Sequence, residues 1–298
     1  PFCIPQIQNG VFNYVCNLSH TSQQPDSDRT GRVYFSWRGS AGYLAGGSLR
    51  GANRIQLVAS LTNSNDILAM IMGVDAIRRA TFHQPAIELI IPYFPYARQD
   101  RVCVEGQSLS AAVMASLINN LQCERVTICD PHSDVTGALI NNVNIVSQAD
   151  IARRNKKFRR NLYRRDTIIV APDAGASKKA EMVASACERG TPVVQALKHR
   201  DLKTGNITQT TLMGSVKGKR CVIVDDICDG GRTFVELAKV LRDGGATHVD
   251  LFVTHGIFSK GLSVFDVLIN HIFTTDSLPQ RHDVPADITF TVQPLSLA

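Results

Sequence analysis

From Arg54 onward, short β-rich apolar runs alternate with helical runs, and this alternation limits what the chain can fold into more than any other feature. The apolar runs at 54–60, 86–93, 125–130, 167–171, 193–197, 219–226 and 248–254 read as strands. Between them, 65–80, 109–121, 177–189 and 233–243 carry helical apolar spacing, the first preceded by Asn and Ser capping residues. Strands that alternate with helices of about 10–15 residues form parallel sheets joined by helical crossovers. The predicted class is α/β, with mainly parallel sheets flanked by helices.

A chain of 298 residues exceeds one ordinary core, so two successive α/β domains are expected, over 1–147 and 148–298. Its apolar stretches, such as 87–92 and 221–224, are far shorter than a membrane span. No charged leader followed by an apolar segment opens the sequence, which starts at Pro1, and the expectation is a soluble, cytoplasmic protein. Eight cysteines in so long a chain do not make a disulfide framework, and no Cys/His spacing of a zinc site occurs. Cys129 and Cys221 lie in strand-like runs and read as small buried hydrophobes.

The net charge of +6 invites a nucleic-acid reading, so its source matters. The run RRNKKFRRNLYRR over 153–165 holds eight basic residues, and without them the chain carries −2. One basic helix is a narrow footprint for nucleic acid, and a solvated face or a subunit contact explains it as well. Two regions depart from the alternation. The polar stretch between 197 and 219 is long for a connection between buried strands, which fits a functional lid or a hairpin excursion. The first 51 residues have weak periodicity, and no element is assigned there.

The segment CVIVDDICDGGRTFVELAKVL, over 221–241, carries the most specific chemistry. A buried strand ends at adjacent carboxylates, Asp225 and Asp226. Then Asp229, Gly230, Gly231, Arg232 and Thr233 open a helix. In an open parallel sheet, ligands bind beyond the carboxyl ends of the strands. Glycines let backbone approach a phosphate, and the helix N-terminus offers N–H donors with partial positive charge. The Thr233 hydroxyl and Arg232 guanidinium can add donors, while the two carboxylates suit ribose hydroxyls rather than phosphate. A second loop, PYFPYARQDR over 92–101, is stiffened by proline and presents Arg98, Gln99, Asp100 and Arg101. Two guanidiniums around an amide suit a polyphosphate and a purine edge, although an Arg-rich loop alone is also what a surface salt-bridge set looks like.

The first segment resembles the phosphoribosyl-pyrophosphate (PRPP) loop shared by phosphoribosyltransferases and PRPP synthases, and by itself leaves the choice between them open. The usual pattern is Asp-Thr-Gly-Gly-Thr, with Gly230 here in place of the Thr and Arg232 in place of the second Gly. The 92–101 decapeptide is similar to the ATP-binding loop of PRPP synthases, which ordinary phosphoribosyltransferases lack. Cys129-Asp130-Pro131-His132-Ser133 resembles the synthase Asp-Leu-His motif, and Ala171-Pro172-Asp173-Ala174-Gly175-Ala176 the Ser-Pro-Asp-x-Gly-Gly motif. Lys198-His199-Arg200 resembles the Lys-Arg-Arg at the root of the catalytic loop, and Thr254-His255-Gly256-Ile257-Phe258-Ser259 also matches. The resemblance runs from about 53 to 275. Before it, Phe35-Ser36 is followed by Trp37-Arg38-Gly39, with no glutamate where the family's adenine-side hairpin reads Phe-Ser/Asn-x-Gly-Glu.

The resemblance implies two phosphoribosyltransferase-like domains and a ribose-phosphate pyrophosphokinase activity that uses Mg²⁺ and ATP. It implies ATP contacts from Arg98, Gln99, Asp100 and His132, and metal contacts from His132 and Asp173. Asp225, Asp226, Asp229, Gly230, Gly231, Arg232 and Thr233 are implied to bind ribose 5-phosphate. Lys198, Arg200 and His132 are implied in catalysis, and a homo-oligomer of dimers or more is the implied assembly. The rival readings are a non-catalytic regulatory subunit of a synthase and a type I phosphoribosyltransferase. Neither a membrane nor a nucleic-acid partner is expected.

Overall fold

The computed structural model describes residues 53–81, 84–186, 190–200, 207–295 and 297, together with four earlier strands at 5–8, 11–18, 33–38 and 41–46. For those four strands, and at 198–200 and 207–209, the description is of backbone. By internal packing the chain divides into two units, Pro1–Val146 with Ser296–Ala298, and Ser147–Leu295.

Unit 1 begins with β1 (Pro5–Gln8) and β2 (Val11–Leu18), then a separate hairpin of β3 (Val33–Arg38) and β4 (Ala41–Gly46). It continues through β5 (Arg54–Ala59), α1 (Ser64–Ala80), β6 (Ala86–Ile91), α2 (Ser110–Asn119), β7 (Arg125–Cys129), α3 (Asp134–Leu139) and β8 (Val143–Val146). The six-stranded sheet runs β1-β2-β5-β6-β7-β8, antiparallel only between β1 and β2. A capping box sets the start of α1. The Asn63 side chain accepts from the Asn65 and Asp66 N–H groups, and Asp66 Oδ2 accepts from the Asn63 N–H at 3.2 Å. The helix then lays Met70, Val74 and Ile77 onto Ile55, Leu57 and Leu89. The two strands of the hairpin pair from Val33 with Gly46 to Arg38 with Ala41.

Unit 2 follows as α4 (Gln148–Arg154), α5 (Lys156–Leu162), β9 (Thr167–Ala171), α6 (Ala174–Ala186), β10 (Val193–Arg200), β11 (Ile207–Leu212), β12 (Arg220–Cys228), α7 (Arg232–Asp243), β13 (His248–Gly256), β14 (His271–Thr275) and β15 (Thr289–Gln293). Its seven strands run β11-β10-β9-β12-β13-β14-β15, parallel except for β10 with β11. Both sheets are therefore mainly parallel and flanked by helices, as the alternation predicts.

Three expectations need correction. The basic run is two short helices, because the Asn155 side chain accepts from the Phe158 N–H at 2.9 Å and caps a new helix. That cap turns Phe158 inward, where it stacks on Phe252 with ring centroids 4.3 Å apart. The helix expected over 177–189 is α6, which starts three residues earlier, and β12 runs past the two aspartates to Cys228. Of the two forms expected for the long connection after 197, the hairpin is what forms, with β10 extended through Arg200 and paired to β11. A lid over 201–206 lies outside the described residues.

Candidate active site

The sheet of unit 2 changes direction between β9 and β12. The chain leaves β9 for β10 on one side and then returns to place β12 on the other. Crevices at such switch points, outside the carboxyl ends of the strands, are where open α/β sheets bind ligands. In register, Ile223 of β12 pairs with Val170 of β9, so Asp225 lies one residue past the end of β9 and beside the turn holding Asp173.

Asp173 caps the helix that follows it. Its Oδ1 accepts from the Ala176 N–H at 3.2 Å, which starts α6 at Ala174 although Ala-Gly-Ala is a poor nucleating sequence. Burial pushes the Asp225 carboxyl well above the usual carboxylate range. Asp226 adds to the shift, and Asp173 contributes a smaller share, which places three carboxylates in one electrostatic neighbourhood. Asp226 is buried, and Lys179 of α6 holds its Nζ 3.7 Å from Asp226 Oδ2. From behind, the buried Gln148 donates to the Asp225 carbonyl and to Thr254 Oγ1. Neither Lys179 nor Gln148 was singled out by sequence. Lys179 sits in an ordinary-looking Lys-Lys pair, and only the packing of α6 against β12 gives it a role.

The loop from Asp229 to Gly231 leads into α7, whose N-cap, Gly231, makes no side-chain capping bond. The first-turn amides therefore face the crevice end of the helix without a side-chain acceptor, an arrangement suited to a phosphate. The 254–259 stretch braces this loop. The Cys228 carbonyl accepts from the Ile257 and Phe258 N–H groups at 2.8 and 3.1 Å, and the Asp229 carbonyl accepts from Ser259 at 3.2 Å. Gly231 has φ +78°, and a Cβ there would lie 2.5 Å from Phe265 Cζ, so both backbone and space require glycine. Gly230 borders Lys260, and Thr233 is half-buried in the first turn. Arg232 is exposed and its Nε bonds Glu236 Oε1 at 2.7 Å, an i,i+4 pair on the helix face. A phosphate would have to draw it from that partner. Backbone alone places Lys198 and Arg200. Gln195 pairs with Ala171, the last residue of β9, so Lys198 lies about 10 Å beyond that carboxyl edge at ordinary strand rise.

In unit 1 the 92–101 loop follows β6, anchored by the buried Phe94 and Ala97 and turned at Tyr96, with φ +62°. Arg98 is exposed, and Gln99 Nε2 donates to the Arg101 carbonyl at 2.8 Å. Asp100 is buried and accepts from Arg101 Nε at 2.8 Å and from its second nitrogen at 3.3 Å. That guanidinium holds the Asp100 carboxyl down at about 2. The Ser133 hydroxyl and His132 pull the same way, so the loop after β7 lies against the loop after β6. Asp100 thus orients Arg101 and joins the two loops, and Arg98, Arg101 and His132 are exposed.

A lowered carboxyl pKa stabilises the fold above its ordinary value near 4, and that stabilisation is lost as pH falls toward about 2. Because Arg101 is largely exposed, solvent screening limits the contribution to about 1 kcal/mol. Asp100→Asn is therefore expected to unfold earlier than the parent by a constant margin above about pH 5, and that margin should shrink toward pH 2.5. Thermal unfolding across that range checks it, and a margin that grows on acidification would refute the assignment.

Among the described residues no group of three or more His, Cys, Asp or Glu is arranged to hold a metal ion. No helix among them is long and apolar enough to cross a membrane. Asp173 offers hard oxygen of the kind Mg²⁺ prefers, so the donor chemistry fits an ion that arrives with phosphates and waters rather than one held in a protein cage.

Fold and crevice together define a phosphoribosyltransferase-type α/β unit. The phosphoribosyl transferase domain family matches residues 143–276, and the N-terminal domain of ribose phosphate pyrophosphokinase matches 42–121. The chain belongs to the ribose-phosphate pyrophosphokinase family. A ribose-phosphate pyrophosphokinase of Cereibacter sphaeroides is 33% identical over 206 residues, covering 69% of this chain and 60% of that protein. One of Maricaulis maris is 29% identical, covering 99% and 90%. The chain spans about 60–66% of the length of several curated relatives it matches. The crystal structure of the phosphoribosylpyrophosphate synthetase from Mycobacterium smegmatis shares the fold, with a TM-score of 0.71 at 21% identity over 93% of this chain and 94% of that one.

Proposed function

We propose that the chain is a ribose-phosphate diphosphokinase, which transfers the pyrophosphoryl group of ATP to the C1 hydroxyl of ribose 5-phosphate to give PRPP and AMP. The observation that carries this reading over a phosphoribosyltransferase is the 92–101 loop of unit 1, where Asp100 orients Arg101 and Arg98 is exposed, a set suited to a polyphosphate. The Asp225–Asp226 carboxylates and the glycine loop of unit 2 suit the sugar phosphate. Carboxylates accept hydrogen bonds from vicinal ribose hydroxyls, and the amides of 230–233 take the 5-phosphate. The names of the relatives agree with that chemistry.

In this reading Arg98, Gln99 and His132 of unit 1 contact ATP, and Asp100 keeps Arg101 in place. His132 in unit 1 and Asp173 in unit 2 are the candidate Mg²⁺ contacts, and the ion would supply positive charge to the phosphate oxygens. Lys198 and Arg200 meet the transferring group as the C1 oxygen attacks the β-phosphorus in line and AMP leaves. Catalysis then rests on positioning and charge stabilisation, with no covalent intermediate. A homo-oligomer is part of the same reading.

The test incubates the purified protein with ATP, Mg²⁺ and ribose 5-phosphate and assays AMP and PRPP together. Equal amounts of both are expected, and both should be lost in Lys198→Ala. Binding of ribose 5-phosphate without turnover would instead favour a regulatory subunit, a reading that the altered sequence around Trp37 supports.

A further inference from the structure

The geometry points to Gln148 as a positioning residue of the unit 2 site, one that sets the directions of the Asp225 and Asp226 side chains by pinning the peptide bond between them. The inference rests on the reading of unit 2 as a sugar-phosphate site and adds to it a residue that touches no substrate. A peptide unit is planar, so the Asp225 carbonyl and the Asp226 N–H turn together. Both ends of this one are held. The Asp226 N–H donates to Asp225 Oδ1 at 3.0 Å, and the Asp225 carbonyl accepts from Gln148 Nε2. The same Nε2 donates to Thr254 Oγ1 at 3.3 Å, so the side-chain amide uses both of its donors here.

The fold explains why a side chain is needed at this point. Ile223 pairs with Val170 and β9 ends at Ala171, so β12 has outrun that neighbour by Asp225. On its other side β13 continues, with Val253 opposite Asp225 and Thr254 next in line. Gln148 arrives there from α4, whose start is fixed locally. The Ser147 side chain accepts from the Asp150 N–H at 3.1 Å, and Gln148 is the first helical residue, 2% exposed. Methionine would fill a similar volume without an N–H, and a buried carbonyl is costly to leave unpaired. Once that donor is gone the 225–226 peptide can turn, and the Cα–Cβ directions of both aspartates turn with it. Gln293 offers a matched control. Its Nε2 donates to the Ile151 carbonyl at 3.1 Å, a bond of the same kind on the same helix that does not touch the 225–226 peptide.

The test compares wild type, Gln148→Met, Gln148→Asn and Gln293→Met as full chains. Amide hydrogen exchange is followed residue by residue by NMR, and ribose 5-phosphate binding by calorimetry. Asparagine keeps the amide on a stem one methylene shorter, so it loses the reach while staying polar. In both Gln148 variants the Asp226 amide is expected to exchange about tenfold or more faster relative to the amides of 222–224. Their affinity for ribose 5-phosphate should fall by about tenfold to a hundredfold. Gln293→Met should keep both quantities within about threefold, whatever it loses in melting temperature. A wild-type Asp226 amide that exchanges as fast as an unbonded one would overturn the inference, as would Gln148 variants with unchanged exchange or unchanged affinity. An equal loss of affinity in Gln293→Met would also overturn it, because the docking of α4 would then be the cause. If wild type binds no ribose 5-phosphate, the sugar-phosphate reading falls, while the Asp226 amide still decides whether Gln148 holds the peptide.

Discussion

Gly231→Ala is expected to destabilise unit 2 by about 2–4 kcal/mol, whereas Gly230→Ala one residue earlier should change stability by less than about 1 kcal/mol. The contrast follows from what a methyl group would meet. At Gly231 the backbone has φ +78°, which costs a side chain on its own, and the new Cβ would lie 2.5 and 2.9 Å from Phe265 Cζ and Cε1. The Phe265 ring has nowhere to go. It is fully buried and set edge-on to Phe258, whose own ring packs against Phe290 and His282. At Gly230 the nearest atom is Lys260 Cγ at 3.5 Å, an ordinary contact with a flexible side chain. Hydrogen exchange of the amides in β12 and β13 reports unit 2 directly and would show the difference. A loss below about 1 kcal/mol for Gly231→Ala would mean that the loop relaxes and that the cradle is softer than its packing implies. Both variants should weaken ribose 5-phosphate binding, so stability separates the two positions where affinity does not.

The strands were legible because a parallel strand buried on both faces reads as an unbroken apolar run. β9, buried at all five residues, shows it, and β6 and β13 show it around single buried acids, Glu88 and Asp250. Polar residues at the strand ends obscure where the strands stop. Two adjacent aspartates look like the start of a loop, yet β12 continues because Ile227 and Cys228 still pair with His255 and Gly256. The basic run looked like one helix because charge masked the break at Asn155, where a side-chain cap rather than composition decides. In the first 51 residues, VFNYVCNL over 11–18 is rich in β-branched and aromatic residues, a strand composition that fits β2. Within the site, motif spacing supplied Asp173, Asp225, Asp226 and the glycine loop. It could not supply Lys179 or Gln148, since Lys179 reaches the Asp226 carboxylate, and Gln148 the Asp225 backbone carbonyl, from elements distant in sequence.

Lys198→Ala and Arg200→Ala are each expected to lower kcat by about 10²–10³, with the affinity for ribose 5-phosphate within about threefold of the parent. The placement argues for that division. By backbone both residues lie on β10 beyond the end of β9, on a hairpin at the edge of the sheet, whereas the carboxylates and glycine loop proposed to hold the sugar phosphate follow β12. A cation there meets charge only as the pyrophosphoryl group moves and negative charge spreads over its oxygens, which is when a contact lowers the barrier rather than KM. Folding should be little changed, because β11 is an edge strand and the substitutions leave the backbone pairing of Lys198 with Thr210 intact. Single-turnover rates beside equilibrium binding of ribose 5-phosphate would test this. A rise in KM with kcat unchanged would place both cations in ground-state binding instead. Retention of most activity in both variants would remove them from the catalytic machinery and leave Asp225, Asp226 and the helix N-terminus to position the sugar alone.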